Sequence, residues 1–223
     1  MTTAIFRSAA EINSAMGRVY GHMSLAVLTS TIISLLVSSS PALMQFFFTG
    51  IMKWVTMFAP LVVILVASFA MDKFSKQGLQ LFLHSFAALM GLSFSAIFVV
   101  FTLGSIVSAF MGAAVLFGTM SFYGYFTKRN LDSVGKFMFV GLIAIIIASI
   151  INIFIGSTVM QMVISALAII IFLGLTAYDT QKIREMVSVD NTGREEVIGA
   201  LTLYMDFINL FINLLQLFGL KKE

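Results

Sequence analysis

Two aspartates lie where a membrane-spanning chain tolerates charge least. Asp206 lies inside the last long apolar stretch, residues 197–218, and Asp179 lies at the end of the preceding stretch, residues 158–180. A charged side chain at the centre of a bilayer costs about 3 kcal/mol on insertion scales, so an ionisable residue there marks a functional site by default. These two carboxyl groups are the first candidates for chemistry, as a pH sensor or as part of an ion or proton path.

Polar residues extend from Asp206 along one face of the last stretch. Asn209, Asn213 and Gln216 follow at spacings that put them on the same side of a helix, and Thr202 precedes Asp206 by four residues. Amides and carboxylates that face lipid without partners are costly. The stripe predicts that the last helix is enclosed and turns this face to a partner or a water-filled path. Alternatively, the amides only hydrogen-bond neighbouring helices.

The two aspartates come from consecutive antiparallel spans and lie towards the same end of them. Two carboxylates in a low-dielectric site do not both ionise cheaply, so a pair in contact shares a proton and titrates as a unit. Calcium prefers six to eight oxygens, so Asp179 and Asp206 predict only a weak, transient calcium contact. The alternative is that Asp179 ends the sixth helix at the interface and never meets Asp206.

Composition places the chain among polytopic α-helical membrane proteins. Of its 223 residues, 60% are hydrophobic and only 10% are charged, against about 25% charged in soluble domains. Seven apolar segments can each cross about 30 Å of hydrocarbon, at residues 21–47, 54–71, 79–101, 104–126, 137–155, 158–180 and 197–218. They predict an all-α domain of seven transmembrane helices over 21–218, with an N-terminal segment over 1–20 and a tail over 219–223.

The connections and charges set the orientation and the partners. Residues 182–196 form the longest predicted connection. Ten of the 13 lysines and arginines fall on the side of the N-terminus, which predicts a cytoplasmic N-terminus and an external C-terminus. Asp206 then lies about 13 Å from the cytoplasmic side.

The absence of cysteine excludes disulfides and thiolate metal sites. We expect no cofactor and no nucleic acid, and lipid, protons and ions as partners.

Three motifs give the chain a resemblance to a known family. GLTAYDTQKI (174–183), ALTLYMDFINLF (200–211) and FYGYFTKRNL (122–131) resemble the Bax inhibitor-1 (transmembrane Bax inhibitor motif) family, and its bacterial members most closely. The resemblance runs over nearly the whole chain. It implies six helices around a central seventh, a bacterial inner-membrane location, and a calcium leak on which Asp179 and Asp206 act as a pH-sensing latch.

One part of the family pattern is altered. Some members pair the sixth-helix aspartate with a basic residue at the cytoplasmic end of the second helix. That region reads AMDKFSK (70–76) here, which makes Lys73 the nearest candidate partner of Asp179, with Asp72 beside it as a competitor. Lysine is a point charge where arginine would offer a fork of donors.

Other functions fit the residues less well. Tyr178 and Asp179 match half of an intramembrane aspartyl protease motif, but the glycines of the second half are absent before Asp206, so no enzyme is predicted. The last segment has no lysine for a retinal Schiff base, and the chain has no evident internal repeat of a transporter. The main alternative is a membrane-embedded regulator that acts through protein partners, such as a membrane protease or a stress or death pathway protein.

Overall fold

The computed structural model describes residues 7–190 and 192–222, and that part of the chain is almost entirely helical. It contains seven helical spans long and apolar enough to cross a membrane, which confirms the predicted all-α polytopic fold. The helices are α1 (Ala9–Ser38), α2 (Pro41–Phe48), α3 (Gly50–Ser68), α4 (Lys76–Phe94), α5 (Ile97–Val100), α6 (Leu103–Phe126), α7 (Asp132–Ile155), α8 (Thr158–Val189) and α9 (Arg194–Phe218). The short α2 is not a span, and α4 and α5 together form one, Lys76–Val100.

Local sequence signals explain where several helices begin and turn. The Ser8 hydroxyl accepts a bond from the Glu11 backbone N–H, and the Glu11 carboxylate accepts one from Ser8 in return, which caps α1. Pro41 occupies the first position of α2, where a missing N–H costs nothing. Gly156 has φ 69° and lets the chain reverse from α7 into α8, whose first turn is capped by Ser157.

Several predicted boundaries are wrong, because hydropathy detects only the part of a helix that lies in lipid and does not detect a break between two apolar helices such as α1 and α2. α1 begins at Ala9, so much of the predicted N-terminal segment 1–20 is helix, and it ends at Ser38 instead of residue 47. Residues 1–6 and Glu223, which belong to that segment and to the predicted tail, lie outside the described residues. α8 continues to Val189, and α9 begins at Arg194, so most of the predicted connection 182–196 is helical.

α9 is the most buried span. In its most apolar stretch 67% of the residues are buried, against at most 33% in any other span. Its principal neighbours are α1, α4, α6 and α8, with the most extensive interface to α8. α3 packs mainly on α2 and α4, and α7 mainly on α8. The arrangement of six helices around the seventh therefore stays a prediction, while the central position of α9 among four helices is observed.

Candidate functional site

The structure brings the two predicted aspartates together at the interface of α8 and α9. Their carboxyl groups lie within hydrogen-bonding reach of each other. Asp206 is only 4% exposed, and Asp179 is half-buried. The alternative that Asp179 merely ends its helix is wrong, since α8 continues ten residues further, to Val189.

The pair is not neutralised by a cation. Within residues 7–190 and 192–222, neither Asp179 nor Asp206 takes part in a salt bridge. The Oδ2 atom of Asp206 is buried and has no hydrogen-bond partner among those residues. Two ionised carboxylates at this separation would repel each other strongly in a low-dielectric interior. The contact is therefore favourable only when the pair holds a proton.

Close packing of the two helices positions the pair. A Cβ atom on Gly199 would lie 2.6 Å from Cγ2 of Ile183, so α8 and α9 can approach this closely only because residue 199 has no side chain. Gly199 precedes Asp206 by two helical turns, and Ile183 follows Asp179 by one. A larger residue at either position would alter the spacing of the carboxyl groups.

A buried hydroxyl chain beside Asp179 was not found from the sequence. The Thr180 hydroxyl lies 2.9 Å from that of Ser121 on α6, and the Ser121 hydroxyl lies 2.6 Å from that of Tyr20 on α1. Thr180 and Ser121 are buried. This chain joins three helices next to the acid pair, and its members are too far apart in the sequence to form a local pattern.

The predicted stripe on α9 is less enclosed than expected. Thr202, Asn209 and Asn213 are half-buried, and each donates to a backbone carbonyl of α9 itself, four residues earlier. Gln216 is exposed, and its Oε1 accepts bonds from Gln161 and Ser165 of α8. The prediction of a fully enclosed stripe is therefore wrong at Gln216. Within the described residues, Gln216 is the one member of the stripe that bonds to a neighbouring helix.

Lys73 does not reach Asp179 in this structure. It lies in the short 3-10 turn Met71–Lys73, and no salt bridge among the described residues includes it. The same turn contacts α9 through a backbone atom instead, since the Arg194 guanidinium donates to the carbonyl of Met71 at 3.0 Å. A contact between Lys73 and Asp179 would need a different arrangement of the α3–α4 junction.

Glu196, in the first turn of α9, is a buried carboxylate that sequence reasoning missed. It is 1% exposed and meets three cations, with Arg18 at 2.7 Å, Arg7 at 3.4 Å and Lys76 at 3.5 Å. Its place at a helix N-terminus also favours negative charge. The arginines lie 178 and 189 residues away in the sequence, so the cluster has no local signature.

A fourth carboxylate with a defined environment, Asp190, lies in the loop between α8 and α9. Partial burial disfavours ionisation of Asp190, but bonds from the side chain and backbone of Thr192 and from the Glu195 N–H outweigh it and lower the pKa of Asp190. Asp190 thus fixes the loop immediately before α9.

Metal-ligating groups are sparse. Among the described residues, no three His, Cys, Asp or Glu side chains converge in a way that could hold a metal ion. Asp179 and Asp206 could offer carboxylate oxygens to a passing cation, which would need water or backbone oxygens to complete its shell.

Sequence comparisons cover nearly the whole chain. A family model described as "Inhibitor of apoptosis-promoting Bax1" matches residues 12–223. The chain is 36% identical over 226 residues to the inner membrane protein YbhL of Escherichia coli (strain K12), which covers 98% of this chain and 97% of YbhL. It is 35% identical over 212 residues to protein RP147 of Rickettsia prowazekii, with 93% and 90% covered. A membrane protein of Streptococcus pyogenes serotype M3 is 42% identical over 162 residues, with 71% and 70% covered.

Proposed function

The chain belongs to the Bax inhibitor-1 family of membrane proteins, and we propose that it is a pH-sensitive leak for calcium and other cations. The gate is the Asp179–Asp206 pair. The observation that carries the proposal is the contact of these two carboxyl groups at the interface of α8 and the central helix. The choice of calcium rests on the resemblance of the aspartate motifs to the family.

Protonation would control the contact between α8 and α9. While the pair holds a proton, a hydrogen bond joins the two helices. When both groups ionise, repulsion between charges at this separation favours moving them apart and admitting water. Flux should then rise as pH rises through the titration of the pair. The ionised oxygens would give a passing cation a transient binding position.

The half-buried face of α9 extends the route beyond the gate. The amide nitrogens of Asn209 and Asn213 bond to backbone carbonyls, so their side-chain oxygens remain available to water or a cation. These oxygens continue from Asp206 towards Gln216. No catalytic step is proposed for any of these residues.

The proposed membrane setting rests on the charge distribution and on the relatives. We place the protein in an inner membrane, since its relative YbhL is an inner membrane protein. The excess of lysine and arginine on the N-terminal side supports a cytoplasmic N-terminus and an external C-terminus. The acid pair then lies in the cytoplasmic half of the bilayer, where cytoplasmic pH would control it.

Calcium flux into proteoliposomes tests the gate directly. Flux would be measured from about pH 5 to 8, a range chosen for a carboxyl pair that shares a proton, in the natural chain, Asp179→Asn and Asp206→Asn. Each variant removes one ionisable group and should flatten the pH response. Asp132→Asn is the matched control, since Asp132 bonds only to Asn130 in the described structure and should leave the response unchanged.

The direction of the response separates two gates. Flux that rises with pH supports the acid pair. If flux instead decreases as pH rises, and Lys73→Gln abolishes this dependence, the gate is an ion pair between Lys73 and an ionised aspartate and not the acid pair. An absence of protein-dependent flux at every pH would overturn the leak and favour a regulator that acts through protein partners.

A further inference from the structure

A cavity of about 410 Å³ lies between α1, the α4–α5 span, α6 and α9, and the aspartate pair does not line it. This volume is within the range of small-molecule sites, about 300–1,000 Å³. Its lining is apolar except for three hydroxyl residues, all on α1, namely Ser30, Thr31 and Ser34. The cavity therefore suits a mainly hydrocarbon ligand with a polar group at one place.

One of the three hydroxyls, that of Ser34, has no hydrogen-bond partner among the described residues. Ser30 bonds to Tyr204 and to the carbonyl of Ala87, and Thr31 donates to the carbonyl of Val27. Ser34 is 3% exposed, and its Oγ has no hydrogen-bond partner among the described residues. Buried hydroxyls are nearly always hydrogen-bonded, so an unpartnered one that lines a cavity indicates a ligand with an acceptor atom.

The cavity is continuous with the lipid-facing surface of the protein. Its rim includes Leu28 and Leu35 of α1 and Val107 of α6, which are all exposed on the outside of the bundle. These residues belong to membrane spans, so a molecule that enters between α1 and α6 comes from the bilayer.

The position of Ser34 along α1 favours a lipid ester as the acceptor. It lies four residues before the last residue of α1, which is about 6 Å along the helix axis. At that distance from the end of a span, a phospholipid has its ester carbonyls close to the boundary of the hydrocarbon. Deeper residues of the cavity, such as Val27 and Ile208, would surround the chain attached to the ester.

We propose that this cavity binds one acyl chain of a phospholipid, with the ester carbonyl accepting a hydrogen bond from Ser34. The acyl chain would contact Ile208 and Phe211 of α9, so the lipid would touch the central helix directly. The site does not depend on the proposed leak, since it is defined by a separate set of residues.

Native mass spectrometry of the full chain tests the site. The protein would be released from detergent after equilibration with phosphatidylethanolamine carrying palmitoyl and oleoyl chains. The natural chain should retain one phospholipid. Ser34→Phe fills the cavity and should lose it, while Ser34→Ala removes one hydrogen bond and should weaken retention about two- to tenfold. Val140→Phe, on the exposed surface of α7, is the matched control and should retain the lipid.

Folding and location are checked with the same proteins. Ser34→Ala is a small change, and its helix content by circular dichroism should equal that of the natural chain, so weaker retention would not reflect unfolding. A photo-crosslinker in the middle of the acyl chain should label peptides of α1 and α6. Equal retention in Ser34→Ala, Ser34→Phe and Val140→Phe would overturn the site. A bound mass of a free fatty acid, a lipid-free dimer, or labelling confined to α7 would also overturn it.

Discussion

Glu196 and Asp206 are ten residues apart on α9 and are both buried, but their surroundings are opposite. Glu196 meets cations from three other parts of the chain, Arg7, Arg18 and Lys76. Asp206 meets a second acid, Asp179, and no cation within the described residues. A carboxylate neutralised by cations stays ionised at ordinary pH, whereas one that faces another carboxylate depends on a proton. One helix thus has a fixed anchor near one end and a proton-dependent contact further along.

The largest expected effect comes from breaking the anchor. Arg18→Ala leaves Glu196 with only the longer contacts to Arg7 and Lys76, and should lower the free energy of unfolding by about 2–3 kcal/mol. This estimate is reduced for solvent screening because Arg18 is 46% exposed. Thermal unfolding in detergent measures it. The control, Lys182→Ala, breaks the exposed Lys182–Glu185 pair and should lower the stability far less, because ion pairs in contact with solvent contribute little. Equal losses would mean that Glu196 is not an anchor.

A change in helix spacing should have the next largest effect. Gly199→Ala places a methyl group against Ile183 and should cost about 1–3 kcal/mol through overpacking. By pushing α8 from α9, it should also raise calcium flux at low pH, where the acid pair otherwise holds the helices together. In a double-mutant cycle, Ile183→Ala should relieve part of the loss. Additive losses would show that the two residues do not press on each other.

The loop before α9 gives a smaller, pH-dependent effect. Asp190→Ala removes the acceptor of the Thr192 and Glu195 N–H bonds and should cost about 1 kcal/mol at neutral pH. Because the bonds lower the pKa of Asp190 in the folded protein, this stabilisation is complete above the ordinary aspartate value of about 4. It should be lost as pH falls through the lowered value. Unfolding of both proteins at pH 7 and at more acidic pH measures this difference. A difference that does not shrink in acid would contradict the assignment.

The acid pair should give the smallest change in stability. Asp206→Asn keeps the size of the side chain and can still donate to Asp179, so the unfolding free energy at neutral pH should change by less than about 1 kcal/mol. The same acid-to-amide change at Glu196 should cost more than about 1.5 kcal/mol, because three cations lose their charged acceptor. Thermal unfolding of both variants gives the comparison. If the order were reversed, the contrast between the fixed anchor at Glu196 and the proton-dependent contact at Asp206 would be wrong.

Much of the fold, and the importance of Asp206 in this contrast, can be predicted from local sequence. Asp206 stands out because a charge inside an apolar segment is rare, and Asp179 stands out because it lies at the end of the preceding apolar segment. The seven spans follow from the same hydropathy. The ends of α1 and α8 do not, because helices continue past the hydrocarbon with polar residues such as Glu11 and Glu185.

The surroundings of Glu196 depend on contacts between residues that are distant in the sequence. Nothing next to Glu196 shows that Arg7 and Arg18 will surround it, since they lie at the opposite end of the chain. The chain from Tyr20 through Ser121 to Thr180 is equally non-local. Hydropathy reports how each residue meets lipid or water, and says nothing about which polar residues of different helices meet inside.

The anchor at Glu196 also determines how α8 and α9 can part. Arg7 bonds to Glu196 and to the carbonyls of Val187 and Ser188, so it holds the linked ends of α8 and α9 together. If the two helices separate, we expect them to rotate about this point. Asp206 lies about 15 Å along α9 from Glu196, so a rotation of roughly 10° would move it by roughly 2.6 Å, about the length of one hydrogen bond. The contact between Gln161 and Gln216 lies about twice as far from Glu196, and the same rotation would separate the two amides by about twice that distance.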